Sequence, residues 1–215
     1  MSILTLPSAP GFTRTRFGLA SNTQSDLVSP ISQSAQLLEL PGARWTARYQ
    51  LPPMIRAQAA EWQAFLVRLR GRSGQFFAFD PDARSARGSA RLKAPGALTV
   101  AGGSPSPSGA LLPLVGAGAN EAGVFLKGDY LAYDVVGASG TGRQLHMVVA
   151  DSDADASGAL DVSIEPPIRR SPAAGETIIV TDASCVMRLE TDRVAWDADN
   201  LSRFGVAFDA IEVFL

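Results

Sequence analysis

Reactive side chains are scarce in this sequence, which has one cysteine, Cys185, and one histidine, His146, in 215 residues. A single cysteine cannot form an internal disulfide, and this usage fits synthesis in the cytosol. Nucleophilic catalysis needs a base placed beside the nucleophile, and an isolated His and Cys without a family signature do not supply that pattern. We therefore expect Cys185 to be a small core residue, His146 to share a strand face with Gln144 and Val148, and the protein not to be an enzyme.

Strong charge of either sign is also missing. Nineteen Lys and Arg residues against 21 Asp and Glu residues give a formal net charge of −2. Nucleic-acid-binding domains usually carry a clustered basic stripe. The closest group of cations, Arg68, Arg70 and Arg72, lies at the end of a predicted helix, where it complements the helix dipole. The composition therefore argues against a nucleic-acid binder.

No hydrophobic run is long enough to cross a bilayer. The most apolar stretch, residues 109–126, is interrupted by Pro113, Asn120 and Glu121, whereas a spanning helix needs roughly 20 consecutive apolar residues. The first residues, MSILTLPSAPGF, have neither the basic nor the apolar region of a signal peptide. We therefore expect a soluble protein that is made in the cytoplasm and has no membrane partner.

Metal and cofactor motifs are not found. Asp151, Asp153 and Asp155 alternate like the oxygen ligands of a calcium loop, but Ala156 and Val162 stand where such a loop needs Gly and Glu. We interpret the run as a solvated turn between strands and predict no metal and no organic cofactor. There is no phosphate-binding loop or dinucleotide fingerprint either.

Sugar chemistry finds little support. No spacing singles out a carboxylate pair for glycoside hydrolysis among the 21 acids. Trp45, Trp62 and Trp196 could form a sugar-binding platform, but the predicted helix turns Trp62 toward the core. A small β-rich hydrolase is therefore the weakest of the functions considered.

Short strands separated by turn residues dominate what is present, since 20 Gly and 14 Pro residues are spread along the chain. At 159–165, Leu160, Val162 and Ile164 alternate with polar residues, which is typical of a strand with one wet face. The strands are predicted at 13–19, 35–40, 45–50, 75–79, 124–126, 130–136, 144–150, 159–165, 177–181, 185–190 and 204–214. Such a series favours a sandwich or a barrel.

One segment, residues 57–70, has the periodicity of a helix. Trp62, Phe65, Leu66 and Leu69 fall at i, i+3, i+4 and i+7 and so lie on one face. Gly71 follows in the place of a left-handed cap. We predict a helix whose aromatic face is buried against a sheet.

The predicted fold is mainly β and has two domains. Residues 1–90 and 182–215 form a β-sandwich belt with helix 57–70, because the first strands alone would leave a sheet unfinished. Residues 91–181 form a small, β-barrel-like domain of their own. The stretch 84–109, rich in Gly, Ser and Pro, is interpreted as a loop or hairpin because Leu98 and Val100 alternate within it.

Several short motifs, taken in order, resemble a family of tail proteins from phages and prophages of proteobacteria. They run from residue 42 to 214. They are GARW at 42–45, LPPM at 51–54, the helix with Trp62 and FL at 65–66, LRG at 69–71, GQF at 74–76, DP at 80–81, GD at 128–129, Gly158 before a strand, PPIR at 166–169, MRL at 187–189 and AIEVF at 210–214. The chain is similar to the siphophage distal tail proteins of the tail tip or baseplate hub.

The resemblance implies a structural virion protein at the tail tip. Such proteins form a hexameric ring that joins the tail tube protein to the tail hub and receptor-binding apparatus. The central channel of the ring admits the tape-measure protein and, as passing cargo, DNA. The resemblance further implies that the sandwich makes the ring, that the second domain faces outward, and that there are no catalytic residues.

A closing ring joins two different patches on each subunit, and edge strands or hairpins can supply them. Residues 14–36 and 95–110 are the candidate hairpins, and the first is preferred because the ring-forming belt is N-terminal in that family. Two alternatives stay open. One is another minor tail or tail-completion protein, and the other is a carbohydrate-binding β-sandwich used in adhesion.

Overall fold

The structure is a computed structural model that describes residues 3–28, 31–33, 35–102, 105–137, 140–201 and 203–214. As predicted, it is mainly β with one α-helix, and one of its sheets curls into half of a barrel. In chain order the elements are β1 (Leu4–Thr5), β2 (Arg14–Ala20), β3 (Thr23–Val28), β4 (Ala35–Glu39), β5 (Arg44–Gln50), α1 (Arg56–Leu69), β6 (Phe76–Phe79), β7 (Thr99–Val100), β8 (Leu111–Val115), β9 (Tyr130–Gly137), β10 (Gly140–Val148), β11 (Ala159–Glu165), β12 (Ser184–Leu189), β13 (Asp197–Ala198), β14 (Phe204–Gly205) and β15 (Ala207–Glu212).

Two large sheets organise the molecule. The six-stranded sheet has the order β1-β6-β12-β15-β5-β2, and the five-stranded sheet has the order β7-β8-β11-β10-β9. The pairs β3–β4 and β13–β14 form small two-stranded sheets. The chain leaves the first sheet after β6, builds the second, and returns so that β12 and β15 lie between β6 and β5.

Helix α1 packs on the six-stranded sheet, and its predicted buried face is confirmed. Trp62, Leu66 and Leu69 are at most 1% exposed. The Phe65 ring lies edge-on to Phe76 of β6, with the ring centroids 5.6 Å apart. The helix therefore seals one face of the sheet with large side chains.

The end of the helix differs from the prediction at one residue. The left-handed cap is Arg70, with φ 52° and ψ 48°, and its backbone N–H donates to the carbonyl of Val67. Gly71 comes one position later and also has a positive φ, 67°. The helix ends a residue earlier than the Gly signal suggests, because Arg70 adopts a conformation that usually favours glycine.

Strand β9 contributes to two cores. Leu131, Tyr133 and Val135 belong to an aliphatic core under the five-stranded sheet, whereas Tyr130 and Ala132 belong to the aromatic core under α1. Because successive strand residues point to opposite faces, one strand can serve both cores. The proposed division of the chain into two domains, residues 1–90 with 182–215 and residues 91–181, stays a prediction. Strand β9 lies between the two cores and contributes side chains to both.

Two predicted strands are single bridges instead. At 124–126 only Phe125 bridges, to Ser152, and at 177–181 three residues bridge one at a time to Thr99, Ala132 and Ser85. The segment 177–181 bridges β7, β9 and Ser85, which lies in no helix or strand, so it has no continuous partner among the described residues along which a ladder could form. Its alternating sequence has the period of a strand without the partner.

Strands β1, β3, β8 and β13 were not predicted, and the single strand predicted at 204–214 is divided into β14 and β15. Strand β8 contains Pro113, and a proline normally argues against a central strand because it has no N–H to donate. The Pro113 carbonyl accepts a hydrogen bond from Ala101 N at 2.9 Å, just past the end of β7. The proline nitrogen points to that same side, where the ladder stops, so the missing N–H costs little.

The alternation of Leu98 and Val100 is confirmed, since both are buried and β7 pairs with β8 as a hairpin.

Candidate functional site

His146 is fully buried in β10 beside Tyr133. Its Nδ1 lies 2.6 Å from the Pro166 carbonyl and its Nε2 lies 3.1 Å from the Tyr133 hydroxyl. A carbonyl only accepts, so Nδ1 carries the proton and Nε2 accepts from Tyr133. Burial lowers the pKa of His146 to about 3, which the hydrogen bond to Pro166 only partly opposes and the Arg169 charge reinforces. Gln144 and Val148 are buried with it, which confirms the shared face.

Cys185 occupies a different core. It lies in β12 opposite Ala78, and its Sγ is 3.9 Å from the Ala78 carbonyl. Burial raises the pKa of the thiol well above its ordinary value, with the charge of Glu212 adding to the effect. The thiol form is inert. The contacts of His146 and Cys185 are separate, so the two residues do not make a nucleophile and base pair.

The three aspartates of the acidic run bind backbone N–H groups at separate positions. Asp151 accepts from Lys127 N at 2.8 Å and Asp153 accepts from Gly123 N at 2.6 Å. Asp155 closes its own turn by accepting from Ser157 and Ala159. Within the described ranges, no group of three or more His, Cys, Asp or Glu side chains is placed to hold a metal ion. Asp151 and Asp153 hold two positions of the connection between β8 and β9, and Asp155 binds within its own turn, so the run is a set of turn contacts.

The three tryptophans do not share a surface. Trp45 and Trp62 are buried, and each Nε1 donates to a carbonyl, of Leu145 at 2.8 Å and of Ala9 at 3.1 Å. Trp196 is the exposed one, at 40%. A sugar platform of three indoles is therefore not formed.

Asp129 has a structural role that its place after Gly128 does not reveal. Its side chain is buried, and it accepts from the backbone N–H groups of Arg87, Gly88 and Leu126 at 2.8–3.2 Å. It thereby ties the loop around residue 88 to the turn before β9. The sequence predicted turn chemistry at 128–129, and Gly128 does have a positive φ of 90°. No local sequence pattern indicates that the Asp129 carboxylate is buried.

A polar cluster joins the two sheets, and we call it the inter-sheet joint (Trp45, Gln144, Arg169, Glu212 and Phe214). The Glu212 carboxylate, 1% exposed, forms an ion pair with Arg169 and accepts from Trp45 N at 3.0 Å. Gln144 Oε1 accepts from Arg169 N at 3.1 Å. Strands β15 and β5 supply two of these residues, and β10 and the segment after β11 supply two more. The joint thus links the six-stranded sheet to the five-stranded one.

Electrostatics at the joint hold a buried charge in place. Burial raises the pKa of Glu212, and the Arg169 charge opposes that rise. The Arg169 guanidinium also donates to the Ala43 carbonyl at 3.2 Å and lies 4.2 Å from the centre of the Phe214 ring. A partial signal exists in the sequence, since Phe208 and Ala210 face the core on β15 and Glu212 continues the same period. Its partners could not be found that way.

Beside the joint lies a cavity of about 360 Å³. Its polar wall comprises Arg143, Gln144, Arg169 and Arg170, and its apolar wall comprises Val135, Val213 and Phe214. No acidic residue of the described part of the chain lines it. The cavity can therefore receive an anion.

The other exposed feature is the edge of the six-stranded sheet. Strand β2 is terminal in the sheet order, and among the described strands it pairs with β5 alone. From its end, β3 and β4 extend as a separate two-stranded hairpin before the chain returns in β5. Backbone groups on the outer side of β2 are available to another chain.

No family model matches the chain, and no curated protein matches it at a significant level. Within the described part of the chain, no helix is long and apolar enough to cross a membrane.

Proposed function

We propose that the protein is a structural virion protein that forms a six-fold ring at the distal end of a phage tail. The ring joins the tail tube to the hub and receptor-binding apparatus, and the tape-measure protein and DNA pass through its channel. The proposal rests first on the ordered motifs from residue 42 to 214. Three of them, GARW, PPIR and AIEVF, meet at the inter-sheet joint although up to 167 positions separate their contacts. Motifs that converge in space support a shared architecture.

The observation that carries the ring is the free edge of β2 with the hairpin β3–β4 beside it. Both lie within or next to residues 14–36, the segment expected to make the ring contact. An edge strand and a projecting hairpin can add to the sheet of a neighbouring subunit, which gives a head-to-tail contact that closes into a ring. This geometry supports a cyclic homo-oligomer.

A charge pattern on the same edge adds support. Arg16 of β2 lies directly opposite Arg48 of β5, and both are exposed. Like charges in this position destabilise a strand pair. The carboxylate of Asp209 lies 3.7 Å from Arg48 and offsets part of the repulsion. An acidic group of a neighbouring subunit over Arg16 would offset the rest.

Cryo-electron microscopy of the particle tests the ring. We expect six copies around the tail axis at the tail tip, with residues before 50 supplying much of the subunit contact. One copy per tail, or a symmetry other than six-fold at this position, would contradict the proposal.

A hairpin replacement tests the contact itself. Leu40 N donates to the Asn22 carbonyl at 2.8 Å, so residues 23–39 can be replaced by Asn-Gly, which closes a two-residue hairpin. We expect the variant to fold with a thermal midpoint close to that of the parent but to be missing from assembled tails. The matched charge variants are Arg16→Glu and, as a control, Arg193→Glu, since Arg193 is exposed and distant in sequence from the edge. If the hairpin replacement and the Arg16→Glu variant each assemble into normal tails, this edge is not the ring contact.

A further inference from the structure

We propose that the arginine-lined cavity beside the inter-sheet joint binds a compact ligand that carries a carboxylate, of the size and chemistry of one sugar-acid residue. The inference follows from the cavity's charge, its free donors and its shape, and it does not depend on the proposed role in a tail.

The positive charge of the cavity is only partly compensated. Arg143 is paired with Asp134, through Nε at 2.7 Å and Nη2 at 3.3 Å, and Arg169 is paired with Glu212. Arg170 is exposed, and its guanidinium has no hydrogen-bond or ion-pair partner among the described residues. Arg170 is therefore the cavity-lining arginine whose positive charge has no partner among the described residues.

The backbone under Arg170 is held in place. Gln144 Oε1 accepts from Arg170 N at 3.3 Å, and Gln144 Nε2 donates to the Arg170 carbonyl at 2.8 Å. The backbone of Arg170 is thus fixed by two hydrogen bonds, while its guanidinium remains available to a ligand. A guanidinium presents its donors in a planar fork that matches a carboxylate, which makes Arg170 the expected ligand contact.

The size and the apolar wall restrict the ligand. A volume of about 360 Å³ lies near the lower end of the range for small-molecule pockets, roughly 300–1,000 Å³. Val135 and Val213 offer a non-polar surface for the carbon face of a ring. The Phe214 ring also lines the cavity, with the guanidinium groups of Arg44 and Arg169 stacked on it at 4.5 and 4.2 Å. A single ring with one carboxylate fills both requirements. An acidic peptide would use the charge but not the apolar residues of the cavity, so it is the less favoured occupant.

Titration of the full-length protein followed by NMR tests the proposal. The probes are D-glucuronate, D-glucose as the same ring without the carboxylate, inorganic phosphate, and a short peptide of glutamates. We expect glucuronate to shift the amide signals of Gln144, Arg170 and Val213 saturably, and glucose and phosphate to bind at least about tenfold more weakly. Arg170→Gln should weaken glucuronate binding about tenfold, as expected for one charge-assisted hydrogen bond. Arg193→Gln should leave it unchanged.

Both variants should fold, because both side chains are exposed and neither has a hydrogen bond or an ion pair with another described residue, and thermal unfolding checks this. Equal binding of glucose and glucuronate, or no effect of Arg170→Gln, would overturn the proposal. Phosphate binding as tight as glucuronate binding would show general anion attraction and would also overturn it. Binding of the glutamate peptide without glucuronate would assign a protein partner to this surface instead.

Discussion

The two cores of this protein are built from different side chains. The core between α1 and the six-stranded sheet is rich in aromatic residues, including Tyr49, Trp62, Phe76 and Phe208, and Val206 is the one β-branched residue among its described buried members. The core of the five-stranded sheet is made of Leu, Val and Ile, such as Val162 and Ile164, with Phe125 and Tyr133 as its aromatic members.

The contrast follows from what each sheet packs against. A helix lying on a sheet leaves a wide, uneven gap that large rings fill, and offset or edge-to-face contacts between rings add stabilisation beyond buried area. In the aromatic core, Trp62 contacts Phe12, Phe65 and Phe208 in this way. A sheet curled on itself is filled by shorter β-branched residues, which suit a pleated surface. The two regions therefore solve the same burial problem with different side chains.

The largest expected effects test whether the two cores unfold together. Leu66→Ala in the aromatic core and Leu112→Ala in the aliphatic core should each cost about 2–5 kcal/mol, because both side chains are essentially fully buried. Since β9 is shared, we expect a single calorimetric transition that both variants lower. Val67→Ala, at a side chain that is 60% exposed, is the control and should change stability by less than about 0.5 kcal/mol. Two transitions, each sensitive to one variant, would show independent domains.

Smaller substitutions should separate the two packing modes. Phe76→Leu removes ring contacts to Phe65 and Phe208, and the loss of two such pairs should cost about 1–3 kcal/mol. Ile164→Val removes one methylene group from the aliphatic core and should cost about 0.5–1.5 kcal/mol. Urea unfolding measures both. A larger loss for Ile164→Val would mean that the aliphatic core is the less tolerant one.

The aliphatic region should also be the pH-sensitive one. In the unfolded chain His146 binds a proton below its ordinary pKa of 6.5. In the folded protein the pKa of His146 is about 3, so the side chain stays neutral down to a much lower pH. The contribution of His146 to the free energy of unfolding is therefore fully present above pH 6.5, and it is lost as the pH falls from 6.5 toward 3. Between pH 7 and pH 5 the loss should be about 2 kcal/mol.

The measurement is urea unfolding of the parent and of His146→Gln at both pH values. Other titrating groups act equally in the two proteins, so the difference between them isolates His146. An identical pH dependence for parent and variant would contradict the assignment.

The smallest effect concerns the end of α1. Arg70 has a left-handed conformation, with φ 52°, in which a side chain is strained and glycine is not. Arg70→Gly removes that strain but raises the entropy of the unfolded chain, so we expect a gain of up to about 1 kcal/mol. Thermal unfolding checks it, and a loss of stability would show that the Arg70 side chain contributes more than its backbone costs.

Periodicity predicted the elements whose partners are continuous. Helix α1, with Trp62 and Leu66 on its buried face, and strand β11, with its alternating Leu160, Val162 and Ile164, appear within a residue of their expected bounds. The segment 177–181 has the period of a strand but bridges β7, β9 and the loop residue Ser85 one residue at a time, and β8 is a strand despite Pro113. In both cases the outcome depends on what lies alongside, which local sequence does not contain.

By itself, the sequence determined the mainly β character, the one helix and the side of each regular element that faces inward, because these follow from spacing along a few residues. Only the tertiary structure decided which core each face joins. Strand β9 alternates between two cores, and Glu212 meets Arg169 and Trp45, which lie 43 and 167 positions away. Such contacts are selected by the register of distant strands and by the need to pair a buried charge, and neither leaves a local pattern.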